Sequence, residues 1–296
     1  MSLKTVSLIL LVIFIWGSNF VAIKAGVMAI DPLVLLAMRF TLAGLIFIPF
    51  MKWPGWKKAS MIMLVGFLMG PLHQGLLYFA LTVMPAGLMS VLLQSNVIMV
   101  TLIGWLFLKE KVGWRTWSGI LVGILGVAVL VGIPDPSATG TGYALALLSA
   151  FFIALAYIAM KQLHVVHPPT YIALMSLPVA PFIMLSSYVV EGTDWLNHLD
   201  TIDWKIVGGV VFYQAIILSL SHMVWQRLMT QMPVSQIIPW TLLIPVAAMG
   251  AAILILGETL TPSILVGGLL TISGVGIVTL RRIQKKQTAP IEGNLD

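Results

Sequence analysis

Long apolar runs alternate with short polar breaks along the whole chain. Ten runs each approach the roughly 20 residues that an α-helix needs to cross about 30 Å of hydrocarbon. They cover 5–23, 33–51, 60–81, 87–108, 115–132, 142–160, 171–190, 206–226, 235–256 and 262–280. Runs such as 120–131 are apolar on every face, whereas the strands of a membrane barrel alternate. The pattern therefore predicts an all-α integral membrane protein with ten transmembrane helices.

The composition excludes a soluble globule and most enzymes. Of the 296 residues, 59% are hydrophobic and 9% are charged, with a mean hydropathy of +1.04. Soluble domains carry about 25% charged residues. The absence of cysteine excludes disulfides, thiolate metal sites and cysteine nucleophiles. The chain also lacks zinc, serine-hydrolase and phosphate-loop motifs and a pair of acids deep in neighbouring spans, so we predict no enzyme, no cofactor and no metal.

The basic residues predict the orientation in the membrane. With a cytoplasmic N-terminus, thirteen of the sixteen lie on the inside: Lys4, Lys52, Lys57, Lys58, Lys109, Lys111, Arg115, Lys161, Arg227, Arg281, Arg282, Lys285 and Lys286. This asymmetry predicts that both termini are cytoplasmic in a multi-pass membrane protein. It also explains the net charge of +6 without a nucleic-acid partner. The polar residues 285–296 are predicted to form a disordered cytoplasmic tail.

The chain contains an internal repeat. An offset of 148 pairs Met84 with Met232, Pro85 with Pro233, Glu110 with Glu258, Gly119 with Gly267 and Gly126 with Gly274. We predict two five-helix repeats, at 1–136 and 137–284. Because five is odd, the second copy crosses the membrane in the inverted orientation. Inverted repeats are typical of secondary transporters, whose site near the midplane is exposed to each side in turn.

Four segments resemble a known family. They read WGSNFVAIKAG (16–26), DPLVLLAMRFTLAG (31–44), MPAGLMSVLLQ (84–94) and IIPWTLLIPVAAMGAAILILGETL (237–260). They resemble the EamA-type family of the drug/metabolite transporter superfamily, and are similar to bacterial exporters of O-acetylserine, cysteine and amino-acid metabolites. The resemblance implies secondary active export of a small polar metabolite, such as an amino acid or its derivative, by alternating access. The alternatives are an uptake carrier or lipid-linked substrate flippase of the same superfamily, and a membrane sensor or assembly protein.

Polar and aromatic residues inside the spans are the candidate site, since polar groups in hydrocarbon must face a partner or a water-filled cavity. Several share a helix face: Trp16 with Asn19, Gln74 with Tyr78, and Gln214 with Ser221 and Trp225. Two prolines, Pro239 and Pro245, are expected to break span nine where it lines a cavity. The predicted substrate-binding residues are Trp16, Asn19, Arg39, Gln74, Tyr78, Gln94, Tyr157, Gln214, Ser221, Trp225, Gln236 and Trp240.

Several of these residues have a second, structural interpretation. Arg39 either binds a substrate carboxylate or extends toward Asp31 at the membrane surface. The two membrane histidines, His73 and His222, either take up a proton that is coupled to transport or serve packing.

Other residues are expected to be structural. Glu110 and Glu258 are predicted to cap spans five and ten, and Lys24 to anchor span one at the interface. The glycines of spans five and ten permit tight packing or a dimer contact, so both a monomer and a homodimer remain open.

Overall fold

Ten helices form the structure, as the hydrophobic pattern predicts. The computed structural model describes residues 3–107, 109, 112–133, 135–160, 163, 167–232 and 238–288. The helices are α1 (Leu3–Val27), α2 (Pro32–Phe47), α3 (Trp56–Thr82), α4 (Ala86–Phe107), α5 (Trp114–Gly132), α6 (Gly140–Met160), α7 (Pro168–Val190), α8 (Trp204–Phe212 continuing through Ser219–Gln231), α9 (Ile238–Leu243 and Ile244–Leu256) and α10 (Pro262–Thr288). Nine of these described helices are long and apolar enough to cross a membrane, and the apolar part of α9 is shorter. The described residues contain no β-strand.

The two repeats interlock. The first helix of each repeat packs against the third and fourth helices of the other: α1 against α8 and α9, and α6 against α3 and α4. The second helices α2 and α7 pair with each other, as do the fifth helices α5 and α10. Exchanging the two repeats leaves this pattern unchanged. The fold is therefore that of two inverted five-helix repeats, and the middle of the bundle lies at their junction.

Breaks in the helices fall at equivalent places in the two repeats. The third helix of each repeat contains a π-helical stretch, Leu68–Gly75 in α3 and Tyr213–Leu218 in α8. The fourth helix is also irregular in each repeat. In α4 a turn at Gln94 separates two α-helical pieces, and in α9 the 3₁₀ stretch Ile238–Leu243 precedes the α-helical piece. Residues 233–237 lie outside the described residues, so a break of span nine at its prolines stays a prediction. Such breaks free backbone groups inside the bundle, and π-helical stretches often occur at functional sites.

Glycines allow α5 and α10 to approach closely. A Cβ built on Gly119 would lie 2.9 Å from the carbonyl oxygen of Gly274, and one built on Gly126 would lie 2.7 Å from that of Gly267. The packing role that the sequence predicts for these glycines is therefore confirmed, and it is fulfilled within one chain. Helix α10 continues to Thr288, so residues 285–288 of the predicted disordered tail are helical, and 289–296 lie outside the described residues.

This packing predicts a difference between two glycine-to-alanine substitutions. At Gly274 a Cβ would lie 2.6 Å from both the carbonyl oxygen of Gly119 and the Cα of Gly123, whereas at Gly250, inside α9, nothing lies within 4 Å. We expect Gly274→Ala to destabilise the protein by about 1–3 kcal/mol, because backbone rather than a flexible side chain must move. Gly250→Ala is the matched control and should not lower the midpoint of thermal unfolding in detergent. Equal midpoints for the two variants would contradict this account of the α5–α10 contact.

Candidate functional site

A buried chain of hydrogen bonds joins α1, α3 and α8 in the middle of the bundle. Gln214 of α8 is fully buried. Its amide nitrogen donates to Asn19 Oδ1 at 2.9 Å, and its oxygen accepts from the Tyr78 hydroxyl at 2.5 Å. Toward the start of α1, the indole Nε1 of Trp16 donates to Ser221 Oγ at 2.9 Å. The structure thus brings five predicted site residues into two sets of hydrogen bonds, Tyr78–Gln214–Asn19 and Trp16–Ser221, and both sets cross between the repeats.

Sequence reasoning missed Tyr213, which belongs to the same contact between α1 and α8. Its hydroxyl donates to the carbonyl oxygen of Ile15 at 2.6 Å and lies 2.9 Å from Ser18 Oγ. In a regular α-helix, neighbouring residues point about 100° apart, so Tyr213 and Gln214 would not both be expected to reach α1. Both lie in the π-helical stretch of α8, which hydropathy does not reveal. The only available signal was the position of Tyr213 next to Gln214.

Aromatic rings continue the network toward the start of α1. The Trp16 ring lies 4.9 Å from the His222 ring and 5.0 Å from the Trp225 ring, measured between centroids. Trp16 and Trp240 of α9 both pack against a hydrophobic cluster that contains Trp225. Trp225 is buried, whereas His222 is exposed. Two more predicted residues, His222 and Trp225, therefore lie beside Trp16, and His222 is the more exposed of the two.

Arg39 is a buried cation in α2. Its side chain is 9% exposed, and its Nε is enclosed without a hydrogen-bond partner. It interacts electrostatically with Tyr78, His73 and His222. No acid within the described part of the chain forms an ion pair with it, so the predicted extension toward Asp31 is not observed. The side-chain oxygen of Gln74 in α3 is likewise enclosed and without a partner.

The two histidines lie in different surroundings. His73 is buried, and its Nδ1 lies 2.8 Å from Ser149 Oγ and 3.1 Å from the Ser149 carbonyl oxygen. Ser149 Oγ in turn donates to the His73 carbonyl oxygen at 3.0 Å. The Nδ1 of His222 donates to the Leu218 carbonyl oxygen at 2.7 Å, since a carbonyl can only accept. His73 is therefore engaged in packing α3 against α6, and His222 is the accessible histidine of the pair.

The remaining predicted residues lie elsewhere. Gln94 is half-buried at the break in α4. Tyr157 of α6 is 44% exposed and interacts electrostatically with Tyr171 of α7. Gln236 falls outside the described residues. Within the described part of the chain, neither Gln94 nor Tyr157 has an observed hydrogen bond to the network around Gln214.

Lys24 and Glu258 close the end of the bundle where α1 finishes, which we call the Lys24 end. Glu258 accepts from the backbone nitrogens of Ala86 at 2.7 Å and Gly87 at 3.1 Å, and so caps the start of α4. The Lys24 ammonium donates to the Met84 carbonyl oxygen at 2.7 Å and lies 3.6 Å from Glu258 Oε1. These contacts join α1 and α4 of one repeat to the α9–α10 loop of the other.

This arrangement corrects one prediction. Glu258 does not cap α10, whose backbone at Ile264 instead donates to Thr261 Oγ1 at 3.4 Å. A left-handed turn at Gly257, with φ of 66°, precedes Glu258, and the carboxylate meets the start of α4. Lys24 pairs with Glu258 at the end of α1, and its role as an interfacial anchor stays a prediction. Glu110, the predicted counterpart in the first repeat, lies outside the described residues.

A second carboxylate at this end ties α2 to α7. Glu191 Oε1 accepts from the Leu33 backbone nitrogen at 2.8 Å, and Oε2 accepts from Ser187 Oγ at 2.7 Å. Burial raises the pKa of Glu191, although both hydrogen bonds oppose the rise. Burial and the nearby Asp194 also raise the pKa of Asp31. The Lys24 end therefore holds carboxylates in short contacts with backbone rather than on a freely hydrated surface.

Comparison with known proteins places the chain in a family. The model of the EamA-like transporter family matches it twice, over residues 3–132 and 140–280. The chain belongs to the EamA-like transporter family. A relative from Salmonella typhimurium is 32% identical over 309 residues, covering 99% of this chain and all of the relative. One from Escherichia coli is 30% identical over 295 residues, covering 94% and 95%. Both are named "Probable amino-acid metabolite efflux pump".

Two further comparisons are more distant. A protein from Streptantibioticus cattleyicolor, named "Probable terminal-alkyne amino-acid exporter", is 25% identical over 298 residues and matches 98% of each chain. A solved crystal structure superposes with a TM-score of 0.59 at 18% identity, covering 93% of this chain and 96% of that one. This similarity shows the fold alone. For this member of the EamA-like family, the predicted family and a transporter rather than an enzyme are confirmed.

The contacts at the Lys24 end predict that Glu258 controls access to the network from that side. We expect Glu258→Ala to speed the labelling of a cysteine placed at Ser90, one turn into α4, by at least about tenfold, because two charge-assisted hydrogen bonds are lost. The chain has no cysteine of its own, so a single Ser90→Cys change supplies the reporter. Labelling would be measured in proteoliposomes with an impermeant thiol reagent on the side of Lys24. Asp200→Asn, which changes an exposed acid at the same end, is the control. Equal labelling rates for Ser90→Cys alone, with Glu258→Ala and with Asp200→Asn would contradict the prediction.

Proposed function

We propose that this EamA-family protein is a secondary active exporter of a small polar metabolite, such as an amino acid or its derivative, working by alternating access. The observation that carries the proposal is the Tyr78–Gln214–Asn19 network, which crosses from one repeat to the other in the middle of the bundle. Inverted-repeat transporters place their substrate sites at such a junction, beside broken helices. The names of the relatives from Escherichia coli and Salmonella typhimurium support export and the class of substrate.

The polar contacts support a conformation that is closed at one end. At the Lys24 end, Glu258 and Lys24 hold α1, α4 and the α9–α10 loop together. Toward the opposite end, His222 is exposed beside the half-buried ring of Trp16. We infer that substrate enters the network from the His222 side and leaves when α1, α8 and α9 move apart from α3, α4 and α6 at the Lys24 end.

The positive-inside asymmetry supports an orientation for this cycle. It supports cytoplasmic termini in a bacterial inner membrane, with the Lys24 end on the outer side. The described conformation would then admit substrate from the cytoplasm, as an exporter requires. The glycines of α5 and α10 pack against each other within one chain, and no residue of a second copy takes part in the Tyr78–Gln214–Asn19 network. We therefore propose that one chain transports within the lipid bilayer, whether it is a monomer or part of a homodimer.

An uptake carrier or a lipid-linked substrate flippase would use the same fold. Direction separates uptake from export: cells that overproduce an exporter should accumulate the metabolite outside and tolerate more of it inside. A flippase would move a labelled lipid across vesicles without exchanging soluble amino acids. A sensor or assembly protein would bind without any flux.

Two conservative substitutions test the site. Trp16→Phe keeps an aromatic ring but removes the indole donor to Ser221, and Tyr78→Phe removes the hydroxyl donor to Gln214. We expect each to reduce amino-acid counterflow in liposomes by at least about tenfold, because a buried partner is left unsatisfied. Tyr188→Phe, at a tyrosine of α7 that is 64% exposed, is the matched control and should exchange like wild type. Unchanged flux in both site variants would overturn the site but not transport, whereas absence of any solute flux in wild type would overturn the carrier.

A proton is the coupling ion that we propose, with His222 as the group that binds it. The exposed ring of His222 stacks on Trp16, and Arg39 is the charged group that interacts with it electrostatically. His73 is less suited because its Nδ1 is bonded to Ser149 in the interior.

We expect an imposed pH gradient to drive net flux in wild-type liposomes. His222→Gln should abolish that response while counterflow without a gradient continues, because exchange needs no net proton movement. His198→Gln, in the 3₁₀ helix Asp194–His198 between α7 and α8, is the control and should respond like wild type. Wild-type flux that ignores the gradient would contradict proton coupling.

A further inference from the structure

Arg39 introduces a positive charge into the middle of the bundle without a counter-ion among the described residues. The groups that interact with it electrostatically are His73, Tyr78 and His222, and none of these is an anion at neutral pH. A charge held in a low-dielectric interior is unfavourable unless it is paired. Its enclosed Nε also lacks a hydrogen-bond partner. The guanidinium carbon lies 4.9 Å from the centroid of the Phe40 ring, and no anion among the described residues pairs with this cation, so its surroundings favour binding of an anion.

The ten apolar runs contain no acidic residue that could pair with an ammonium group. All ten acids lie outside the ten apolar runs: Asp31, Glu110, Asp135, Glu191, Asp194, Asp200, Asp203, Glu258, Glu292 and Asp296. A zwitterion bound at Arg39 would thus leave one uncompensated positive charge. A monoanion would leave none.

Gln74 offers a neutral acceptor on α3, a helix that packs against the helix of this cation. Its side-chain oxygen is enclosed and unpaired, and it lies in α3 between His73 and Tyr78, the two α3 residues that interact with Arg39. The π-helical stretch that contains Gln74 packs against α2, which carries Arg39. An amide oxygen can accept an N–H from an ammonium or from an acylated nitrogen.

We propose that Arg39 and Gln74 form an anion-selective head-group site: Arg39 binds the substrate carboxylate, and Gln74 accepts one N–H of the adjacent nitrogen. The planar guanidinium matches a carboxylate in two parallel hydrogen bonds. The site does not require an ammonium charge, so an N-acylated amino acid is exchanged at least as well as the parent zwitterion. This inference rests on the proposed transport function and narrows its substrate class.

Three compounds that share the methionine side chain but differ in charge test this preference. L-Methionine is a zwitterion, N-acetyl-L-methionine is an anion, and L-methionine methyl ester lacks the carboxylate. Counterflow in wild-type liposomes should be at least as fast for the N-acetyl compound as for L-methionine, and at least about tenfold slower for the ester, because the charged pair with Arg39 is lost. Exchange of the ester at the rate of the free acid, or a requirement for the free ammonium, would overturn the proposal.

Variants separate recognition from a structural role. Arg39→Lys should retain part of the exchange and Arg39→Gln should lose it about tenfold or more, while Arg115→Gln, at an exposed arginine, should exchange like wild type. Gln74→Glu supplies the missing acid and should reverse the preference, so that L-methionine is exchanged faster than its N-acetyl derivative. A role in folding alone would lower all rates without reversing their order, and that result would overturn the proposal.

Failure of this inference differs from failure of the proposed function. If wild type exchanges other amino acids but none of the three methionine probes, the head-group site is wrong, because it does not depend on the side chain, and transport stands. If no amino acid or derivative exchanges at all, the transport function itself is wrong.

Discussion

A polar group inside hydrocarbon has no water to pair with, so its partner must come from the protein or from a ligand. This constraint explains most of what the structure shows at mid-depth. Gln214 is fully buried, yet its amide nitrogen and oxygen are both engaged, with Asn19 and Tyr78. The same rule makes the exceptions informative. Arg39 Nε and the Gln74 oxygen are enclosed without partners, and they lie on neighbouring helices.

The constraint also acts at the helix ends. The first backbone nitrogens of a helix lack partners within it, and a carboxylate from another helix or loop can supply one. Glu258 does this for α4, and Glu191 does it for α2. Each therefore joins elements that are distant in the chain. Glu191 and Glu258, two of the few acids in the sequence, thus hold helices together at one end of the bundle, and their hydrogen-bond partners belong to both repeats.

The fold was largely predictable, because length and hydropathy alone identify a membrane helix, and a constant offset of 148 residues indicates the repeat. The pairing of side chains was harder to predict. Trp16, Asn19, Gln214 and Ser221 could be chosen from helical spacing, yet which of them bond to each other depends on how α1 packs between α8 and α9 of the other repeat. Tyr213 was missed because a π-helical stretch changes which residues share a face. Glu258 was assigned to the wrong helix because a turn at Gly257 separates it from α10, and local sequence favours the nearer end.

Interlocking of the repeats limits how the protein can move. Because α1 packs against α8 and α9, it is bound to the second repeat through Trp16, Ser18 and Asn19, although its sequence belongs to the first. Rocking of one repeat against the other as sequence units would break these buried bonds. At the Lys24 end, the polar contacts between these helix groups are Lys24–Met84, Glu258–Ala86 and Glu258–Gly87. For the alternating access that we propose, the moving bodies are therefore better described as α1 with α8 and α9, and α6 with α3 and α4. The Tyr78–Gln214 bond joins these two bodies, and we propose that it is the part of the network that a substrate replaces when they separate.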